Sequence, residues 1–80
     1  MARTVFIVDD HPGFRTPARS LLERAGYDVV GEAEDGTSSL DEVRDLRPNL
    51  VLLDVQLPDL TGFDVARRLL DAPDPPAISG

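Results

Sequence analysis

Val5-Phe6-Ile7-Val8-Asp9-Asp10 decides how this chain reads: four β-branched or aromatic residues in succession, then two acids. Unbroken apolarity suits a strand covered on both faces, as in a parallel sheet; a strand with one wet face would alternate. Leu50-Val51-Leu52-Leu53 followed by Asp54 repeats the pattern. Between them, His11-Pro12-Gly13 is a turn or helix start, and Phe14, Ala18, Leu21, Leu22 and Ala25 recur on one helical face. Gly26 stops that helix at C′, and Pro17 delays or bends it by removing one hydrogen bond. Val29 to Ala33 is a more polar strand, nearer an edge. Asp35-Gly36-Thr37 turns the chain into a short stripe of Leu40, Val43 and Leu46 that ends at Pro48-Asn49. Further on, Thr61 is an N-cap with Asp64 three residues later, and Leu60 and Val65 hold staple positions. Val65, Ala66, Leu69 and Leu70 should face the core. Asp71 to Pro76 is a stiff connector, and Ala77-Ile78 begins a further strand. Strands alternating with helices imply right-handed crossovers and the α/β class.

Composition narrows the possible functions. The chain has 80 residues, with eight basic side chains, all arginine, against fifteen acids, for a net charge of −7. That length makes one small domain, spanning 1–80, of marginal stability. Its charge repels phosphate backbones, so no nucleic acid is expected as a partner. With no cysteine there is no disulfide, thiolate zinc site or cysteine nucleophile. Apolar runs of four residues are too short to span a membrane, and Met1 to Thr4 leads into no signal-peptide core. The expectation is a soluble, acidic, cytoplasmic domain.

The chemistry lies where the acids fall. If the first and third strands are neighbours, Asp9-Asp10 and Asp54 leave the sheet about 4.8 Å apart. In a 2-1-3 strand order that gap is the topological switch point, a rule for which the flavodoxin-like sheet is itself a standing example. Like charges about 4 Å apart repel by roughly 4 kcal/mol at an effective dielectric near 20. Either one carboxyl keeps its proton or a cation sits among them. Oxygen-only donors with room for water suit Mg²⁺. A carboxylate beside that ion is placed to attack a phosphoryl group, a reaction that needs mainly positioning and charge stabilisation.

Three stretches carry a resemblance: Val8-Asp9-Asp10-His11-Pro12, Gly31-Glu32-Ala33-Glu34-Asp35-Gly36, and Leu53-Asp54-Val55-Gln56-Leu57-Pro58-Asp59-Leu60-Thr61-Gly62. Together they resemble the receiver domain of two-component response regulators, in the form of the NarL/LuxR-type branch. The resemblance implies a flavodoxin-like (CheY-like) parallel sheet of order 2-1-3(-4), here incomplete and lacking the last strands and helices. It implies Asp54 as phospho-acceptor, with a sensor histidine kinase as donor. It further implies Mg²⁺ held by Asp10 and Asp54 directly, by Asp9 directly or through water, and by the backbone carbonyl of Gln56. Departures stand beside it. The family's lysine has no counterpart, since the chain has no lysine, and Ser79 is the one candidate for the family's hydroxyl switch. No DNA-binding output domain is expected within residues 1–80.

Plainer readings compete. Asp9-Asp10 would serve equally as a cap for the following helix, His11 as a solvent-exposed turn residue, and Arg67-Arg68 as a solvated face. An interaction module that forms a homodimer or domain-swapped oligomer through an open sheet edge is a second function class. A haloacid-dehalogenase-like phosphatase is disfavoured: that family resembles Asp-x-Asp, whereas Val55 and Gln56 follow Asp54. The chain is expected not to be an enzyme.

Overall fold

A computed structural model describes residues 2–80. Strands β1 (Thr4–Val8), β2 (Asp28–Ala33), β3 (Leu50–Leu53) and β4 (Ala77–Ser79) alternate with helices α1 (Pro12–Arg24), α2 (Gly36–Leu46) and α3 (Gly62–Leu70). All strand pairs are parallel, in the order β2-β1-β3-β4, so the polar strand β2 lies at an edge and the apolar β1 and β3 are neighbours in the interior. The expected flavodoxin-like order is the one found. Val5 to Val8 are fully buried because helices lie on both faces of the sheet. Between Val5 and Phe6 the register with β2 steps by one residue, so Val5 faces Val29 and Phe6 faces Gly31.

The two faces bury different sets. Phe6, Val8, Ala33, Val51 and Leu53 pack with Leu40 and Val43 of α2 and Val65 and Leu69 of α3. Val5, Ile7 and Val29 face the other way, with Leu22, Tyr27, Leu50 and Leu52 only partly covering them.

Helix α1 runs through Pro17, whose ring lies on an exposed side, so the helix neither starts late nor breaks there. It ends as expected. Gly26 takes φ +95°, its N–H bonds to the carbonyl of Glu23 at 3.1 Å, and Tyr27 N–H reaches the carbonyl of Leu22 at 3.0 Å. Those paired bonds make a Schellman turn, and the left-handed φ favours glycine. Two expectations for the core need correction. No residue of α1 is buried, with Leu21 69% and Phe14 50% exposed, and Leu70 of α3 also faces outward. Their spacing is helical, but among the described residues no neighbouring element covers them.

Candidate phosphoryl-acceptor site

Because β1 and β3 pair in register through Val8 and Leu53, the residues that follow leave the sheet at the same level. The backbone continues the ladder one step further. Asp54 N–H donates to the carbonyl of Val8 at 2.9 Å, and Asp9 N–H to the carbonyl of Ala33 at 3.0 Å. Two sequence-distant strand ends are thereby fixed side by side. Asp9, Asp10, His11 and Asp54 each offer one donor atom, and these atoms all lie within 4.8 Å of one another. Asp9 is buried, Asp10 and Asp54 are half-buried, and His11 is exposed.

His11 occupies more of the site than an exposed turn residue would. Its Nδ1 lies 3.1 Å from Asp9 Oδ1, 3.0 Å from Asp10 Oδ1 and 3.7 Å from Asp54 Oδ2. The hydrogen bond that the ring donates to Asp9, followed by the charge of Asp10, raises the imidazole above its ordinary pKa; Asp54 adds a smaller push, and partial desolvation opposes the rise. Asp9 does not cap α1. The N-cap is His11, whose side chain makes no capping bond, and Asp9 Oδ1 instead accepts the backbone N–H of His11 at 2.7 Å. The sequence signal for His11 was its place directly after two strand-end acids.

The carboxylates fit a cation. Asp10 Oδ1 is buried without a hydrogen-bond partner, and its contact with His11 is not aligned as one. A buried acceptor left in that state costs about 1–3 kcal/mol, which a bound cation would offset. Oxygen donors from Asp9, Asp10 and Asp54 are of the kind that hard divalent ions take.

The loop after β3 is held on three sides. Gln56 N–H approaches Asp54 Oδ1 at 3.4 Å, and Gln56 pairs with Thr61 in an isolated antiparallel bridge. Thr61 Oγ1 accepts the N–H of Asp64 at 3.2 Å and caps α3, while its hydroxyl donates to Asp64 and lowers that carboxyl's pKa. Gly62 sits so close to the site backbone that a Cβ there would run onto the carbonyl oxygen of Asp54 and come within 2.8 Å of Val55 Cα. Sequence reasoning passed over Asp59. Its carboxylate accepts the N–H of Gly36 at 2.8 Å and of Thr37 at 3.0 Å, as well as the Thr37 hydroxyl. Those bonds, with the Thr37 hydroxyl contributing most, hold it well below the usual carboxylate range. They also tie the loop to the N-terminus of α2, where negative charge is favoured.

Ser79 stands elsewhere. It faces Leu52 in the β3–β4 register, two positions short of Asp54. A cavity of 330 Å³ runs beside the acids, with Asp9, His11 and Asp54 at its rim, Phe14 and Leu52 along it, and Gly80 rather than Ser79 in its wall. A larger cavity of 690 Å³ lies between the ends of α2 and α3 and contains none of the site acids.

Residues 5–79 match the family described as response regulator receiver domain. The virulence-factor transcription regulator BvgA of Bordetella pertussis is 44% identical over 69 residues, covering 86% of this chain and 33% of that protein. The chemotaxis protein CheY of Thermotoga maritima is 32% identical over 70 residues, 88% of this chain and 58% of that one. A crystal structure of a LuxR-family two-component response regulator from Aurantimonas sp. superposes with a TM-score of 0.80 at 36% identity, over 85% of this chain and 49% of that chain. The chain thus spans about a third of the length of BvgA. No helix among the described residues is long and apolar enough to cross a membrane.

Proposed function

The chain belongs to the response regulator receiver domain family, and from that premise we propose that it accepts a phosphoryl group on Asp54 from a sensor histidine kinase in the cytoplasm. The observation that carries this is the convergence of Asp9, Asp10 and Asp54 from two neighbouring strand ends. A carboxylate oxygen of Asp54 attacks phosphorus, the bond from phosphorus to the donor's imidazole nitrogen breaks, and its electron pair leaves with the imidazole. An aspartyl phosphate results. The main chain supplies the positioning: the ladder bond from Asp54 N–H to Val8 fixes the acceptor, and the Gln56 N–H near Oδ1 orients its carboxylate. Asp10, Asp54 and the carbonyl of Gln56, with Asp9 directly or through water, would hold Mg²⁺, and the ion would supply charge to offset that gathering on the phosphoryl oxygens. Such a domain signals by being modified and turns over no substrate of its own.

Intact mass after incubation with Mg²⁺ and acetyl phosphate tests the reading, with Asp54→Asn as control. One added phosphoryl group on the parent alone is the expected result. No addition to a folded parent overturns it.

A second reading rests on the sheet edge. β4 pairs with β3 on one side only among the described residues, and the apolar residues Phe14 and Leu21 lie exposed on α1. Such an edge favours pairing with a second copy, as a homodimer or a domain-swapped oligomer. Sedimentation at micromolar concentration decides it: a dimer supports self-association, and a monomer that unfolds cooperatively removes it.

A further inference from the structure

Hydrogen bonding accounts for only part of how His11 sits. Its Nδ1 can share one proton, yet three carboxylate oxygens lie within 3.7 Å of it, and only the contact with Asp9 has hydrogen-bond geometry. Two donors at right angles on an ion about 2.1 Å away stand about 3 Å apart. The Nδ1 distances of 3.1 Å to Asp9 and 3.0 Å to Asp10 match that spacing. Asp10 Oδ1, 3.0 Å from Nδ1, is buried without a hydrogen-bond partner. The ring is brought there by the backbone, because Asp9 Oδ1 accepts the His11 N–H and turns the chain back over the strand ends.

We infer that His11 Nδ1 is a fourth protein donor at this site, so that the pocket selects divalent ions that favour imidazole, such as Co²⁺ and Zn²⁺, over Mg²⁺ more strongly than three aspartates alone would. The inference rests on the reading of the acid cluster as a metal site. Its chemistry is that of donor type. Carboxylates suit Mg²⁺, whereas a nitrogen donor raises affinity for first-row ions later in the Irving–Williams order and adds little for Mg²⁺. His11 is exposed, so replacing it leaves the core intact.

Calorimetric titration of the full chain with Co²⁺ and with Mg²⁺ makes the test, for the parent, His11→Gln and Asp54→Asn, in buffer alkaline enough to keep the imidazole neutral. Proton NMR of the Co²⁺ form gives a second readout, since a coordinated imidazole shows paramagnetically shifted ring resonances. The expected result is that His11→Gln weakens Co²⁺ by at least on the order of tenfold, the loss that even an outer partner of a ligand brings. Mg²⁺ affinity should change little, and the shifted ring resonances should vanish. If His11→Gln leaves Co²⁺ unchanged while Asp54→Asn weakens both ions, the acid site stands and the His11 assignment falls. Tighter Mg²⁺ binding in His11→Gln with no loss of Co²⁺ also overturns it, because the ring would then be competing with the ion. If the parent binds neither ion, the metal site and the assignment fail together.

Discussion

The two faces of the sheet have similar sequence patterns and different degrees of burial. On one face α2 and α3 lie side by side, and Phe6, Val8, Val51, Val65 and Leu69 are each 5% exposed or less. On the other, among the described residues, α1 lies alone; Val5 and Ile7 are sealed, while Leu50 and Leu52 stay partly open and no residue of α1 is itself buried. A helix about 10 Å across spans about two strands set 4.8 Å apart. Four strands therefore need two helices on each face, and among the described residues only one face has them. An apolar stripe makes a helix fit to be buried, but a neighbouring element is needed to bury it. The loop after Asp54 is secured to α2, on the well-covered face, through Asp59, whereas the cavity beside the acids runs along Phe14 and Leu52 of the other.

Substitutions on the two faces should separate them. Phe6→Ala empties a fully buried ring position on the α2–α3 face and should cost about 3–5 kcal/mol by urea denaturation, enough to unfold much of a domain this small. A loss under 1 kcal/mol would mean that this face is not the core. Gly62→Ala drives a methyl into the backbone of Asp54 and Val55 and should cost about 1–3 kcal/mol. It should also slow phosphoryl uptake relative to an equally destabilised core variant. Uptake that falls only in step with stability would separate Gly62 from the site.

Asp59→Asn sharpens the comparison through pH. The folded carboxyl titrates below its unfolded value near 3.9, so its contribution to stability is full above that value and is lost as pH falls toward the folded pKa. The variant should show a flatter fall in melting temperature with acid below about pH 4, the unfolded reference value. An unchanged profile would show that the loop is not tied to α2 through this carboxylate. Leu21→Ala, on the sparsely covered face, should lie within about 0.5 kcal/mol of the parent in the same urea titration. A cost of 2 kcal/mol or more, as at a buried leucine, would show that α1 is covered in solution.

Much of this could be read from residues in order. Unbroken apolar runs at Val5–Val8 and Leu50–Leu53 marked the buried strands, Gly26 and Thr61 marked helix ends, and the polarity of β2 marked an edge. These signals are local, because strand apolarity, caps and left-handed turns depend on neighbours a few positions away. Sequence also put Asp9, Asp10 and Asp54 at strand ends. Their meeting follows from the pairing of β1 with β3, a contact 45 residues long in the chain that no local pattern expresses. Tertiary structure alone decided the rest. Asp59 reaches the N-terminus of α2 across 23 residues, the His11 ring turns onto the acids, and the apolar stripe of α1 stays half open. Each depends on which surfaces the closed sheet brings together, and periodicity along the chain carries no record of that.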